Sequence, residues 1–484
     1  MEQEHFDVLI VGAGLSGIGA GYHLQAKCPG KSYAILEARA CIGGTWDLFR
    51  YPGIRSDSDM YTLGYSFRPW TQPEAIADGP AILRYVRETA AEYGIDKKIR
   101  FDTKVTRAEW STQEARWTVE IETGATRERT YLTCNFLFMC SGYYQYEAGY
   151  TPAFAGVERF AGRIAHPQQW ADDIAYAGKR VVVIGSGATA VTLVPEMAKT
   201  AGHVTMLQRS PTYVVSRPRR DGFANWLRRV LPSRMAYGVA RWKNVLLGML
   251  LFRLCKRYPD RIRKMILAGV TKQLGASYDV NTHFTPHYKP WDQRLCLAPD
   301  GDLFKAIRKG RVAVVTERIE TFTERGIALC SGAELEADVI VTATGLNLQV
   351  MGGARIAVDG RDVDLAQTMN YKGMMYSDIP NLASAFGYTN ASWTLKCDLT
   401  CEYICRVLNY MDRHGYRQCT PHNDDPTITA EPRIDFSSGY VQRSIDQLPK
   451  QGSKAPWRLY QNYARDIVSL KFGSIEDDAI AFAK

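Results

Sequence analysis

The stretch FDVLIVGAGLSGIGAGYHL, residues 6–24, decides how the rest of the chain is read. An apolar strand from Val8 to Val11 runs into Gly12-x-Gly14-x-x-Gly17, and an amphipathic helix follows. Gly12 permits the tight turn, Gly14 lets backbone approach a pyrophosphate, and Gly17 lets helix pack on strand. The helix N-terminus, including the Ser16 amide, then faces phosphate oxygens. A second strand, SYAILEA (32–38), ends at Glu37, whose carboxylate is placed to accept from ribose hydroxyls.

The pattern returns in KRVVVIGSGATAVTLVPEM (179–197), with Gly185-x-Gly187-x-x-Ala190 after a strand. The next strand, HVTMLQRS, ends in Arg209-Ser210 where the first copy has Glu37. An acid there would repel a ribose 2′-phosphate, whereas Arg209 can pair with it. The first loop therefore suits a cofactor with a free ribose and the second suits NADP. Candidate contacts of the second nucleotide are Gly185, Ser186, Gly187, Ala188, Thr189, Ala190, Val191, Arg209 and Ser210.

The duplication extends further. IRFDTKVTRAEW, RWTVEIETG and NFLFMCSG (99–142) share their outline with GRVAVVTERIETFTERGIALCSG and ADVIVTATG (310–345). Each predicts a strand, a small antiparallel meander, then a buried strand ending near Gly142 or Gly345, where the chain crosses between domains. The fold class expected is α/β, with two Rossmann-like dinucleotide domains. Two facing dinucleotide sites imply electron transfer from NADPH to a flavin. Disulfide reductases of this layout need a redox cysteine pair after the first loop, and CIGGTWDLF offers Cys41 alone.

Composition agrees with an intracellular enzyme. At 484 residues the chain is long for one core, so two or three domains are expected. Eleven cysteines without a CxxC pair suit reduced thiols in the cytoplasm better than a disulfide framework. Cys397, Cys401 and Cys405 stack on one helix face, and buried thiols are preferred there to a metal site. The start, MEQEHFDVLIVGAG, has neither a signal peptide's nor a transit peptide's pattern. Disorder is expected only at the ends and in the polar stretch 421–432.

Charge is concentrated. Residues 217–276 hold fifteen Lys/Arg against Asp221 and Asp260, a local +13 within a total of +9, which leaves −4 for the remainder. This segment reads as a helical insertion at 217–280. It is able to lie at a membrane surface, or to form a solvated basic face over a substrate tunnel. Its apolar run VLLGMLLF is far too short to cross a bilayer, and no nucleic-acid reader motif accompanies it.

Residues 43–57, GGTWDLFRYPGIRSD, are too irregular for a helix or paired strand. Gly43 and Gly44 let backbone pass close to flavin phosphates, while Trp46 can lie along the cofactor. The Tyr51-Pro52-Gly53 turn brings Arg55 and Asp57 back toward the flavin ring, which makes Asp57 a buried carboxylate needing a cation. The alternative is that Asp57 caps a helix near Ser58.

This stretch resembles the long fingerprint of type I Baeyer–Villiger monooxygenases. FAGRIAHPQQW (160–170) resembles their second, F-x-G-x-x-x-H-x-x-x-W. The runs MLQRSPTY and PWDQRLCL are similar to those of the ethionamide-activating subgroup. The resemblance implies FAD and NADPH as cofactors, O2 as co-substrate, and a ketone or sulfur compound as substrate, oxygenated through a C4a-peroxyflavin. It also implies that Arg294, in HYKPWDQRLCL, is the catalytic arginine oriented by Asp57. His166 takes a linker role. Gln293 stands where the family often has lysine, which leaves more of the 2′-phosphate to Arg209. FAD contacts expected are Gly12, Gly14, Ser16, Gly17, Glu37, Gly44, Trp46, Asp57 and Val105. The FAD domain is expected at 1–147 and 347–484, and the NADP domain at 148–216 and 281–346. An N- or S-oxygenating flavin monooxygenase, a non-catalytic membrane-surface NADP sensor and a plain NADPH oxidase remain alternatives.

Overall fold

The computed structural model describes residues 3–484. Two parallel sheets organise it, and they repeat one strand order. In the first, Ile99–Arg100, Tyr33–Leu36, His5–Val11, Glu128–Met139 and Leu382–Ser384 lie side by side. In the second, the order is Val312–Thr316, His203–Gln208, Arg180–Ile184, Val339–Thr342 and Arg163–Ala165. Only the edge strand differs in origin: the first sheet takes it from late in the chain, the second from just before its glycine loop.

The strands read as unbroken apolar runs because both faces are covered, one by helices and the other by an antiparallel meander. Val8, Leu9, Ile10 and Val181 to Val183 are essentially inaccessible to solvent. Each sheet carries the expected meander: Thr103–Ser111 with Arg116–Thr123 and the start of Glu128–Met139, and Ile319–Phe322 with Gly326–Leu329 and Glu334–Glu336. After Met139 and Thr342 the chain crosses over. The crossing segments pair, with Gln145 N–H donating to the Asn347 carbonyl and Gln349 N–H to that of Tyr143.

Residues 217–280 form three helices, Gly222–Val230, Ser233–Arg257 and Pro259–Leu274. Their basicity is not all solvated. Arg241 is buried, donates to the carbonyls of Tyr61 and Gly64, and lies 3.6 Å from the buried Asp398 carboxylate, which His23 also approaches. A buried cation so held fixes the insertion to the first dinucleotide unit, because removing any partner would strand a desolvated charge. The polar stretch 421–432 is more ordered than its composition predicts. Gln418–Pro421 pairs with Ile480–Ala483, and Ala430–Pro432 with Lys450–Gly452.

Helix Trp393–His414 packs on helix Leu15–Lys27, directly behind the first glycine loop. Cys397, Cys401 and Cys405 lie buried in that contact, and all eleven cysteines are free. No helix among the described residues is long and apolar enough to cross a membrane.

Candidate functional site

A cavity of about 1110 Å³ runs between the two glycine loops and is lined from both halves, the insertion and the C-terminal segment. Of the residues singled out by sequence, Gly12, Gly14, Ser16, Glu37, Gly44, Trp46, Asp57, Val105, Ala188, Thr189 and Arg294 line it. Gly17, Gly185, Ser186, Gly187, Ala190, Val191, Arg209 and Ser210 do not.

The first loop is tight. Gly12 sits at φ +105°, and a Cβ there would lie 2.7 Å from the Cys140 carbonyl oxygen. Gly44, at φ +54°, faces Gly14 so closely that its Cβ would come 3.0 Å from the Gly14 Cα. Two backbones meeting without side chains leave a cradle that a pyrophosphate fits. Gly17 serves packing instead, since its Cβ would overlap the Gly12 carbonyl oxygen at 1.8 Å. Glu37 is buried; its two oxygens accept from the N–H groups of Ala13 at 2.7 Å and Arg39 at 3.0 Å. Burial raises its pKa, and those two amides work against the rise. Each oxygen keeps a lone pair for a ribose hydroxyl.

The second loop is open. Gly187 and Ala188 are exposed, and a Cβ on Gly187 would meet nothing within 4 Å. The Ser186 hydroxyl donates to the Ser210 carbonyl at 2.9 Å, which joins the loop to the tip of the following strand. Arg209 projects from that tip, exposed. Exposed loop amides beside a free guanidinium fit a nucleotide that carries a 2′-phosphate.

Arg294 Nη1 stands 3.0 Å from Asp57 Oδ2, a contact that joins the two halves across the cavity. Protein surrounds the pair, yet 36% of the Arg294 side chain and 43% of the Asp57 side chain remain accessible because the cavity reaches them. This corrects the expectation of a buried Asp57: its carboxylate faces the cavity. It does not cap a helix either, since Asp59 caps Met60–Leu63. Burial opposes the charge on Arg294, but Asp57 and the neighbouring Tyr143, Tyr440 and Tyr144 outweigh it and hold the guanidinium above its ordinary pKa. The Tyr143 and Tyr144 hydroxyls are 2.9 Å apart. Burial pushes Tyr144 up to about 12 and Tyr143 also upward, so both stay neutral.

Arg55 lines the same cavity but is tied to a different carboxylate. It is buried, with Nη1 on Asp302 Oδ2 at 2.5 Å. His166 lies outside the cavity lining, where its ring packs against Gly149 and its Nδ1 accepts from the Gln168 amide. Burial lowers its pKa. Gln293 turns toward Ser437.

Several site residues escape sequence reasoning. Asp47 is buried with Arg39 at 2.6 Å, Arg87 at 3.1 Å and Arg50 at 3.5 Å, so guanidinium charge exceeds carboxylate beside the glycine cradle. The signal was present, since Asp47 lies inside GGTWDLF. Trp393 stacks on Tyr143 with centroids 5.0 Å apart and donates to the Ser16 hydroxyl. Nothing in the sequence links positions 16, 143 and 393.

A family profile described as flavin-binding monooxygenase-like matches residues 72–351, and one for NAD(P)-binding Rossmann-like domains matches residues 10–87. The chain is 60% identical to the FAD-containing monooxygenase EthA of Mycobacterium tuberculosis, over 99% of this chain and 98% of that protein. It is 54% identical to the EthA of Mycolicibacterium smegmatis over the same shares. Among solved structures, an oxidized steroid monooxygenase bound to NADP superposes with a TM-score of 0.77 at 23% identity, covering 99% of both chains. That likeness concerns the fold.

Proposed function

Because this chain belongs to the family of flavin-binding, FAD-containing monooxygenases, we propose that it is an NADPH-dependent Baeyer–Villiger monooxygenase. It inserts one oxygen atom of O2 beside a ketone carbonyl, and it also oxygenates thioethers and thioamides at sulfur. Ketone, O2, NADPH and a proton give ester, NADP+ and water.

When bound, FAD and NADPH supply the electrons and the oxygen-activating ring. The side chains supply position and charge. Gly12, Gly14 and Gly44 would cradle the FAD pyrophosphate and Glu37 would hold its ribose, with Trp46 and Val105 on the same cavity wall. Ser186 to Thr189 would present the second loop's amides to NADP, with Arg209 and Ser210 at the 2′-phosphate, whereas the Val191 N–H is already taken by the Gly187 carbonyl.

The observation that carries the reading is the Arg294–Asp57 pair at 3.0 Å on the cavity wall. Arg294 donates to the negative charge that builds on a carbonyl oxygen under attack, in a site where fixed donors outweigh water. Asp57 orients the guanidinium. The neutral hydroxyls of Tyr143 and Tyr144 close that wall without adding charge. Arg294→Ala is expected to lower ester formation about 100- to 1,000-fold while NADPH oxidation continues, with O2 released as peroxide. Product analysis on a 2-alkanone beside a thioether checks this, and near wild-type ester yield in the variant would refute it.

The basic insertion supports peripheral binding at the cytoplasmic face of a membrane. Met235, Val239, Trp242, Leu246 and Leu250 recur at helical spacing, each 45–58% exposed, in a segment of strong positive charge. The same helix lines the cavity through Asn244, Val245, Gly248 and Met249. Apolar substrates therefore have a short path from lipid to the site. Eleven free cysteines suit the reducing side.

A further inference from the structure

The C-terminal segment encloses a second cavity, of about 170 Å³, which the oxygenation chemistry does not use. Lys372, Lys396, Arg433, Arg458 and Arg465 line it, and Asp466 is the single carboxylate among the lining residues. Asp466 is already engaged, accepting from Lys396 Nζ at 2.8 Å and from the Tyr388 hydroxyl at 2.6 Å. Lys372 is held from outside the lining by Asp477 at 3.0 Å.

The three arginines have only neutral partners. Arg458 donates to the Ser453 carbonyl at 3.0 Å, and Arg465 lies over the Tyr460 ring. Arg433 is the telling one. It is 5% exposed, its Nε has no hydrogen-bond partner, Nη2 makes one 3.3 Å contact with the Gly373 carbonyl, and its guanidinium lies 4.1 Å from the Phe386 ring. A guanidinium buried without a carboxylate and with a donor left over is costly unless an anion completes it.

We propose that this cavity binds a phosphate group. Its volume is well under the roughly 300–1,000 Å³ of pockets for drug-sized ligands, so a single small anion fits and a nucleotide does not. Guanidinium forks match phosphate oxygens in geometry as well as charge. Two sources share that chemistry. Ser469 and Leu470 line the cavity, and their neighbours Val468 and Phe472 are 64% and 77% exposed, an arrangement that suits a phospholipid head group as well as free phosphate. Gln461 lines both this cavity and the large one, and it accepts from the Thr389 amide at 3.0 Å. Occupancy here is thus one residue removed from the substrate site.

The test uses the FAD-loaded protein saturated with NADP+, so that the Arg209 site is filled. Inorganic phosphate is titrated calorimetrically against potassium chloride of equal ionic strength. Saturable binding is expected, weakened about 10- to 100-fold in Arg433→Met and in Arg465→Gln. The exposed Arg465 variant decides the matter if the Arg433 variant does not fold. Absence of saturable binding, or unchanged binding in flavin-loaded Arg465→Gln, overturns the proposal. A second arm sediments the protein with phosphatidylcholine vesicles with and without phosphatidic acid. Phosphatidate-dependent sedimentation that free phosphate competes away assigns the site to a lipid head group. Phosphate binding without it assigns the site to the free anion.

Discussion

The two glycine loops follow one pattern and sit in one strand order, yet they differ in how the protein closes around them. At the first, backbone packs on backbone: Gly12 against Cys140, Gly14 against Gly44, and Glu37 buried with both oxygens on amides. At the second, Gly187 and Ala188 face open space and Arg209 is exposed. A ligand gripped in a buried cradle leaves slowly, whereas one held at an open rim exchanges. The contrast matches a resident FAD and an NADPH that must bind, be oxidised and leave as NADP+ in each turnover. Sequence similarity between the loops concealed a difference in packing.

The sharpest way to break this contrast is Gly17→Ala. Its Cβ would sit 1.8 Å from the Gly12 carbonyl oxygen, and backbone cannot yield as a side-chain end can. No soluble yellow protein is expected; flavin absorbance at the wild-type ratio would show that the first loop is looser than described. Glu37→Ala comes next. It leaves the Ala13 and Arg39 amides unsatisfied, at about 1–3 kcal/mol each, and FAD should be lost on dialysis while NADP+ affinity is unchanged in reconstituted samples.

Arg209→Ala probes the open side. KM for NADPH should rise about 10- to 100-fold with flavin content intact and KM for NADH unmoved. An equal rise for both nucleotides would remove the 2′-phosphate from the account. The smallest effect is expected from Gly187→Ala, at φ −74° in extended backbone that alanine adopts freely. Thermal stability should stay within about 0.5 kcal/mol of wild type, while KM for NADPH rises because the nucleotide must accommodate the new methyl. A large loss of Tm would mean that the second loop is packed after all.

Legibility followed how local the physics was. Gly12, Gly14, Gly17 and Glu37 were readable because a strand, a turn and a helix N-terminus within one short stretch impose those residue types by themselves. Arg294 was readable only through the resemblance of HYKPWDQRLCL to a family pattern. The same reading put Asp57 in the interior, and the carboxylate instead faces the cavity, since burial depends on what the other half of the chain leaves open. Asp47 went unread although it lies inside the quoted stretch, because its Arg39 and Arg87 partners are chosen by packing. The Trp393–Ser16 and Arg241–Asp398 contacts join residues far apart in the chain, and Arg433 looks from sequence like any surface arginine.

By itself, the sequence determined the duplicated α/β plan, the two glycine turns and the charge of the insertion. Each rests on backbone sterics, hydrophobic periodicity or a count of ionisable groups, all of which are set locally. The tertiary structure alone decided that the Asp57 carboxylate beside Arg294 faces the cavity, that one loop is packed backbone on backbone and the other open, and that five cations share a cavity with a single acid. Those are distances between remote segments, and side-chain chemistry acquires its strength only once folding has fixed the distance and removed the water.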